Sequence, residues 1–369
     1  MPQVDVRVSS VIPANSLMQN WPLLCKHHAY RNGRKSNYFS DNNSSVAGIA
    51  AQHGVPAYES VENLLDAHKS GSLAVDAIIL ATPTQTHMAL CQLFAGSGLA
   101  LLIEKPLSTT GSDGKQMLSA SKKDRSNVYM VGHHRRHNAY VRAVKDILEK
   151  EKLGRVVAVN GVWAMRKHDG YYDIPWHTQP GFGGVILTNA IHEIDMLQYW
   201  LGPIEEVFAM EGPKPRPIKV DQTTHTTFKF SSGVLASFLF TDASASHQSW
   251  EAATGDNPVF SATGEDFLTI FGTKGSISMP SMIRYHYDGM PESERNWKFP
   301  LQQDGSAKKV IDNVPAFENQ LKHFIAVARR EAEPNCSVED ALRAVLVTEA
   351  VFRSLETGNS CSVEQLSGL

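Results

Sequence analysis

The chain has 369 residues, 42% of them hydrophobic and 20% charged, which provides for about two domains, each with its own core. Lys and Arg total 35 against 38 Asp and Glu, a formal net charge of -3, so the charge balance excludes a polycationic partner for nucleic acid or for an anionic membrane surface. The four cysteines, Cys25, Cys91, Cys336 and Cys361, have no paired spacing, which excludes a disulfide framework and a Cys-based zinc module and points to a reducing, cytoplasmic compartment. No secretory leader pattern opens the chain, and no run of eighteen apolar residues predicts a membrane span.

Val4, Val6 and Val8 alternate as in a strand. Ser9, Ser10, Pro13 and Asn15 then stand where a G-x-G-x-x-G turn is expected, and no glycine precedes Gly33. The dinucleotide fingerprint is absent, although a strand, turn and helix are what such a domain needs at its start. Tyr38 and Phe39 read as a truncated strand end leading to Asp41, with a helix over 45–53 behind it. An acid in that place accepts hydrogen bonds from an adenosine ribose; a helix cap or loop residue is the other reading. Ser60 predicts an N-cap, with Glu62 in the first turn, for a helix carrying Val61, Leu64 and Leu65.

Residues 74–81 predict a buried strand that runs into Thr82-Pro83-Thr84-Gln85-Thr86-His87 and an apolar helix through Leu90 to Phe94. Gly98 and Pro106 then bracket the five apolar residues 99–103, too few for a helix and suited to a parallel strand buried on both faces. Two strands flanking one helix within about thirty residues make a βαβ unit. Glu104 and Lys105 fall at the carboxyl end of the second strand, where open parallel sheets bind ligands. A desolvated lysine there can polarise a substrate oxygen; a strand-end salt bridge with Glu104 is the alternative. A further strand over 128–131 leads into Gly132-His133-His134-Arg135-Arg136-His137, cations suited to a cofactor or acidic substrate, or to a solvated basic face. His133 and His137 have helical metal-ligand spacing, but no carboxylate or cysteine accompanies them, and no metal is expected.

Beyond Lys145 the pattern changes to α+β. Strands are predicted over 156–165, 223–230, 234–241, 267–271 and 276–279, with Ser231-Ser232-Gly233 as a hairpin turn, and two helices close the chain over 317–331 and 338–355, the second capped by Ser337. Between these lies the richest polar stretch: Arg166-Lys167-His168-Asp169, Tyr171-Tyr172, Trp176-His177 and Gly183-Gly184, followed by a helix over 185–201. On that helix Thr188, His192 and Asp195 share one side, with Asn189 adjacent. His192 either exchanges a proton with a substrate hydroxyl or is a buried histidine held by Asp195.

Ala81-Thr82-Pro83-x-x-x-His87, Glu104-Lys105-Pro106, Gly132-His133-His134-Arg135-Arg136, Lys167 with Tyr171-Tyr172, and Gly183-Gly184 before His192-Glu193-Ile194-Asp195 occur in the order in which they resemble the Gfo/Idh/MocA oxidoreductases. The resemblance implies an α/β chain: a Rossmann-like parallel-sheet domain over 1–136, atypical in its first forty residues, then an α+β domain over 137–369 with a large, mostly antiparallel open sheet and carboxyl-terminal helices. It implies NAD or NADP as cofactor, and hydride transfer between nicotinamide and a secondary alcohol or ketone of a sugar, cyclic polyol or related metabolite. Lys105 and His192 take the catalytic positions. Asp41, Thr82, Pro83, His87, Glu104, Lys105 and Arg135 fall to the cofactor; Lys167, Tyr171, Thr188, Asn189 and Trp250 fall to a small-molecule substrate. Nucleic acid and membrane are not implied as partners, whereas a homo-oligomer, dimer or tetramer, is. Two departures stand out: Thr188 replaces an aspartate found in inositol-dehydrogenase-like members, and the glycine loop is missing. Two alternatives follow, a regulatory binding protein that has lost its cofactor and an NAD-dependent glycosidase.

Overall fold

A parallel strand buried on both faces has no polar side to show, and Ala77–Leu80 and Ala100–Ile103 are buried at every position. In the computed structural model, which describes residues 8–11, 37–39, 56–58, 60–312 and 314–364, these are two strands of a six-stranded sheet. Its members are β1 (Val8–Val11), β2 (Asn37–Phe39), β3 (Ala57–Tyr58), β4 (Ala77–Leu80), β5 (Ala100–Ile103) and β6 (Val128–Val131). Their order is β3-β2-β1-β4-β5-β6 and every pairing is parallel. This is the Rossmann strand order, whose switch point lies beside β1 and β4. Asp41 and the helix expected over 45–53 lie outside the described residues.

Helices follow the strands as the caps predict. Ser60 accepts a hydrogen bond from Asn63 N at 3.1 Å to start α1 (Val61–Lys69). α2 (His87–Phe94) links β4 to β5, and α3 (Gly111–Lys123), capped by Thr110, links β5 to β6. One side of the sheet, with Ala77, Ile79, Ala100, Leu102 and Met130, packs against Leu321, Phe324 and Val327 of α7 (Ala316–Ala328).

Compact packing groups the chain across the boundary expected at 136. One compact unit comprises the described residues up to His134 together with Phe317–Val345; the other comprises the described residues of 135–316 and 346–364. The reason is apolar burial, because α7 covers the face of the parallel sheet that would otherwise meet water.

The second unit is built on a nine-stranded sheet: β7 (Val156–Ala164), β8 (Ile204–Glu211), β9 (Thr223–Phe230), β10 (Leu235–Thr241), β11 (Leu268–Gly272), β12 (Gly275–Met279), β13 (Arg284–His286), β14 (Gln302–Asp304) and β15 (Cys361–Ser362). Its order is β14-β13-β12-β11-β7-β10-β9-β8-β15, antiparallel except between β7 and β10. Rows such as Val207, Phe228 and Ala236 run across the buried side, while Phe208, Met210 and Leu235 are exposed. β8 escapes a search for alternation: Val207 and Phe208 are both apolar, Glu205 and Glu206 both charged, and the register slips between Ile204 and Glu206. The unit also contains α4 (Ala139–Glu149), α5 (Ile191–Leu201), the short α6 (Trp250–Thr254) and the end of α8 (Val338–Thr357). Ser337 and Asp340 form the capping box of α8.

Candidate functional site

In the first unit the ends of β4 and β5 bring two polar loops together. After β4, Thr86 Oγ donates to Thr82 Oγ at 2.7 Å and to the Pro83 carbonyl at 2.8 Å, folding Thr84–Thr86 into a 3-10 turn. After β5, Glu104 is buried and its Oε2 accepts a hydrogen bond from the backbone N–H of the half-buried Lys105 at 3.2 Å. Gly132 faces that carboxylate so closely that a Cβ there would stand 3.1 Å from Oε1. His87, expected beside the cofactor, is instead 1% exposed, with both ring nitrogens against backbone carbonyls. Burial therefore works against its charge and lowers its pKa from the ordinary imidazole value.

In the second unit four of the five residues expected at the substrate come together. Lys167 Nζ donates to Asn189 Oδ1 at 2.8 Å and Thr188 Oγ at 3.3 Å, and lies 4.5 Å from the centre of the Tyr171 ring. Its side chain is 10% exposed, and desolvation lowers its pKa against the opposing pull of Asp242. His177 stacks on Tyr171 with centroids 3.7 Å apart and is kept toward its neutral form by burial.

The sequence did not single out the group that organises this cluster. Asp242 is buried just past β10 and accepts from Tyr172 Oη at 2.6 Å and Arg216 Nη1 at 3.2 Å, with Lys167 Nζ at 3.5 Å. An aspartate directly after a predicted strand was the available signal. Arg216 also donates to the carbonyls of Lys167 and Asp242, so it fixes both chains.

The helix carrying Thr188 and Asn189 does not start as an α-helix. Ile186–Ala190 is π-helical, with Ile191 N donating to the Ile186 carbonyl, and α5 begins only at Ile191. The stripe of Thr188, His192 and Asp195 presupposed unbroken α geometry, which this wider turn interrupts. Gly184, at φ +95°, makes the approach to the turn possible; a Cβ there would stand 2.2 Å from Asp221. Asp221 Oδ2 accepts from Ile186 N at 2.8 Å, and burial pushes its carboxyl up to about 6.

That shift has a sign. The folded chain holds the Asp221 proton more tightly than the unfolded chain, with its ordinary 3.8, so the contribution present below about pH 4 is lost as pH rises through 6. Asp221→Asn is expected to gain roughly 2.5 kcal/mol on the wild type between pH 4 and pH 7.5. Urea midpoints of both chains at the two pH values measure this; a constant difference between them refutes it.

Two of the residues assigned to ligands are buried in one charge network. Arg135, assigned to the cofactor, is 2% exposed; it pairs with Glu193, reaches Glu251 Oε1 at 3.2 Å and lies 4.5 Å from the centre of the Trp250 ring. Trp250, assigned to the substrate, is 1% exposed and donates its indole N–H to Asp256 at 3.3 Å. A cation needs compensation when buried, and Glu193 and Glu251 provide it. Arg136 binds both oxygens of Asp195, through Nε at 3.0 and 3.2 Å and Nη2 at 2.7 Å. His192 is buried on α5, directly before Glu193 and three residues before Asp195. His134 to His137 form a 3-10 turn rather than an α-helix, and among the described residues no group of three His, Cys, Asp or Glu could hold a metal ion.

A Rossmann-ordered sheet with Glu104 and Lys105 at the carboxyl end of one strand, and a separate mixed-sheet unit carrying a lysine and histidine cluster, give the two-unit architecture of a dinucleotide-binding protein. Residues 23–133 match the family model described as oxidoreductase family, NAD-binding Rossmann fold, and residues 145–364 match that of its C-terminal alpha/beta domain. The chain belongs to the Gfo/Idh/MocA oxidoreductase family. It is 25% identical over 328 residues to 1,5-anhydro-D-fructose reductase of Ensifer adhaerens, covering 86% of this chain and 87% of that protein. To inositol 2-dehydrogenase of Rhizobium meliloti it is 23% identical, covering 85% and 88%. The fold is similar to that of the WlbA dehydrogenase from Bordetella pertussis solved with NADH and UDP-GlcNAcA, at TM-score 0.75 and 20% identity over 99% of this chain and 100% of that one.

Proposed function

We propose that this chain transfers a hydride between NAD(P) and the secondary alcohol or ketone carbon of a sugar, cyclic polyol or related small metabolite. The observation that carries this reading is Glu104-Lys105-Pro106 at the carboxyl end of β5, one strand from the switch point of a Rossmann-ordered sheet. The polar atoms on the loops after β4 and β5 fit the nicotinamide end of a dinucleotide: Thr82, Pro83 and Glu104 would hold it, and Lys105 would stand at its reacting face. The cofactor, when bound, supplies the hydride acceptor or donor at its nicotinamide ring. Lys105 polarises the substrate oxygen, and His192 takes or returns the hydroxyl proton, as an imidazole can act as either acid or base. Lys167, Tyr171, Thr188 and Asn189 orient the substrate hydroxyls, and the Asp242 network holds Lys167 in place for this.

The missing glycine loop favours one other reading, a family member that has lost cofactor binding. A fluorescence titration of the full chain with NADH and NADPH, followed by a turnover screen on 1,5-anhydro-D-fructose, inositol and glucose, separates the two. Saturable binding at micromolar concentration with turnover is expected; a folded chain that binds neither nucleotide defeats the enzymatic reading.

The exposed Phe208, Met210 and Leu235 on one side of the second sheet support self-association as a dimer or tetramer. A monomer mass by light scattering would remove that part. No helix among the described residues is long and apolar enough to cross a membrane, and Cys91 and Cys361 are free thiols. The thiols support a cytoplasmic location, which recovery of the native protein from a secreted fraction would contradict.

A further inference from the structure

His87 opens α2, one short loop beyond β4, and it is buried where a cofactor contact would require an open ring. Its Nε2 stands 3.0 Å from the carbonyl of Thr82, in the loop after β4. Its Nδ1 stands 3.1 Å from the carbonyl of Pro106 and 3.2 Å from that of Leu107, in the loop after β5. The two strands are neighbours, Leu80 paired with Ile103, so one imidazole spans the gap that opens where their loops diverge. Lys105 directly precedes the first of the two carbonyls on the β5 side.

We propose that His87 is a positioning residue that fixes the Lys105–Leu107 turn against the Thr82 loop and thereby sets where the Lys105 ammonium stands. This rests on the reading of Lys105 as the group that polarises the substrate oxygen. Side chains that only fill space do not place a backbone segment with this directionality; a ring N–H fixed in the imidazole plane does. A neutral imidazole has one N–H, so it holds one loop by a donated hydrogen bond, and the Thr82 loop is tied to the ring through the chain itself, His87 following Thr82 by five residues. The Nδ1 side has two carbonyls in reach and is next to Lys105, and it is assigned the proton. Asparagine places its amide N–H near the Nδ1 position and glutamine near the Nε2 position, so the two variants separate the loops.

The test uses the full chain and the reactivity of Lys105 itself. Competitive acetylation with acetic anhydride between pH 7 and 11, read by peptide mass spectrometry, reports Lys105 against the exposed Lys69 and Lys123 as internal references. His87→Ala is expected to change the Lys105 rate relative to those references about threefold or more, and to lower kcat about 10²-fold with NADH affinity within about twofold of wild type. His87→Asn is expected to restore most of both, and His87→Gln little. Unchanged relative Lys105 reactivity in His87→Ala overturns the inference, whatever happens to turnover. Should His87→Ala fail to fold, equal Lys105 reactivity in the Asn and Gln variants overturns it. Altered Lys105 reactivity in His87→Ala, with no turnover by wild type on any substrate of the screen, upholds the positioning role and defeats the enzymatic reading instead.

Discussion

Replacing Lys105 with methionine is expected to lower kcat/KM by about 10²–10⁴-fold, the range of one positioned acid or base group, while the chain stays folded and still binds NADH. Methionine keeps the length and apolar stem of the half-buried lysine and removes only its ammonium. The strand that holds it is unaffected, because Ala100–Ile103 are anchored by pairing on both sides and by full burial. Lys105→Arg is expected to be nearly as inactive, since its longer, planar fork does not reproduce a compact ammonium against one substrate oxygen. Steady-state kinetics beside circular dichroism and an NADH titration check all three points. Turnover within about threefold of wild type in the Met variant would remove Lys105 from the reaction.

Breaking the Arg136–Asp195 pair carries the largest expected effect on stability. Its two side chains are 5% and 2% exposed, and the guanidinium binds the carboxylate through two nitrogens. Arg136→Met leaves a carboxylate buried without that cation, which costs about 3–5 kcal/mol. The double variant Arg136→Met with Asp195→Leu is expected to recover most of the loss, because neither ion then needs desolvating. Urea unfolding of the single and double variants measures it, and a single variant within about 1 kcal/mol of wild type would contradict it. The consequence for function runs through α5. Asp195 lies one turn beyond His192 on that helix and Glu193 directly follows it, so Arg136 and Arg135 hold the segment from two sides. The single variant is expected to lose turnover before it loses its global fold.

What the sequence by itself determined are the features whose physics is local. β4 and β5 were legible because four or five consecutive apolar residues, the second run bracketed by Gly98 and Pro106, admit few other structures. Ser60 and Ser337 were legible because an N-cap needs only a side-chain oxygen and the N–H three residues on. Lys167, Tyr171, Thr188 and Asn189, singled out together from the sequence, lie in contact around the lysine. Tertiary structure alone decided the rest. Arg135 looked like a cofactor cation until its partner Glu251, 116 residues away, was brought to it, and the same network buried Trp250. Asp242 gained its place from Tyr172, 70 residues before it, and from Arg216, and α7 joined the first unit because an apolar sheet face required a cover. A buried charge chooses its partner, and an apolar face its cover, by distance in space, and no local period of the chain encodes that distance.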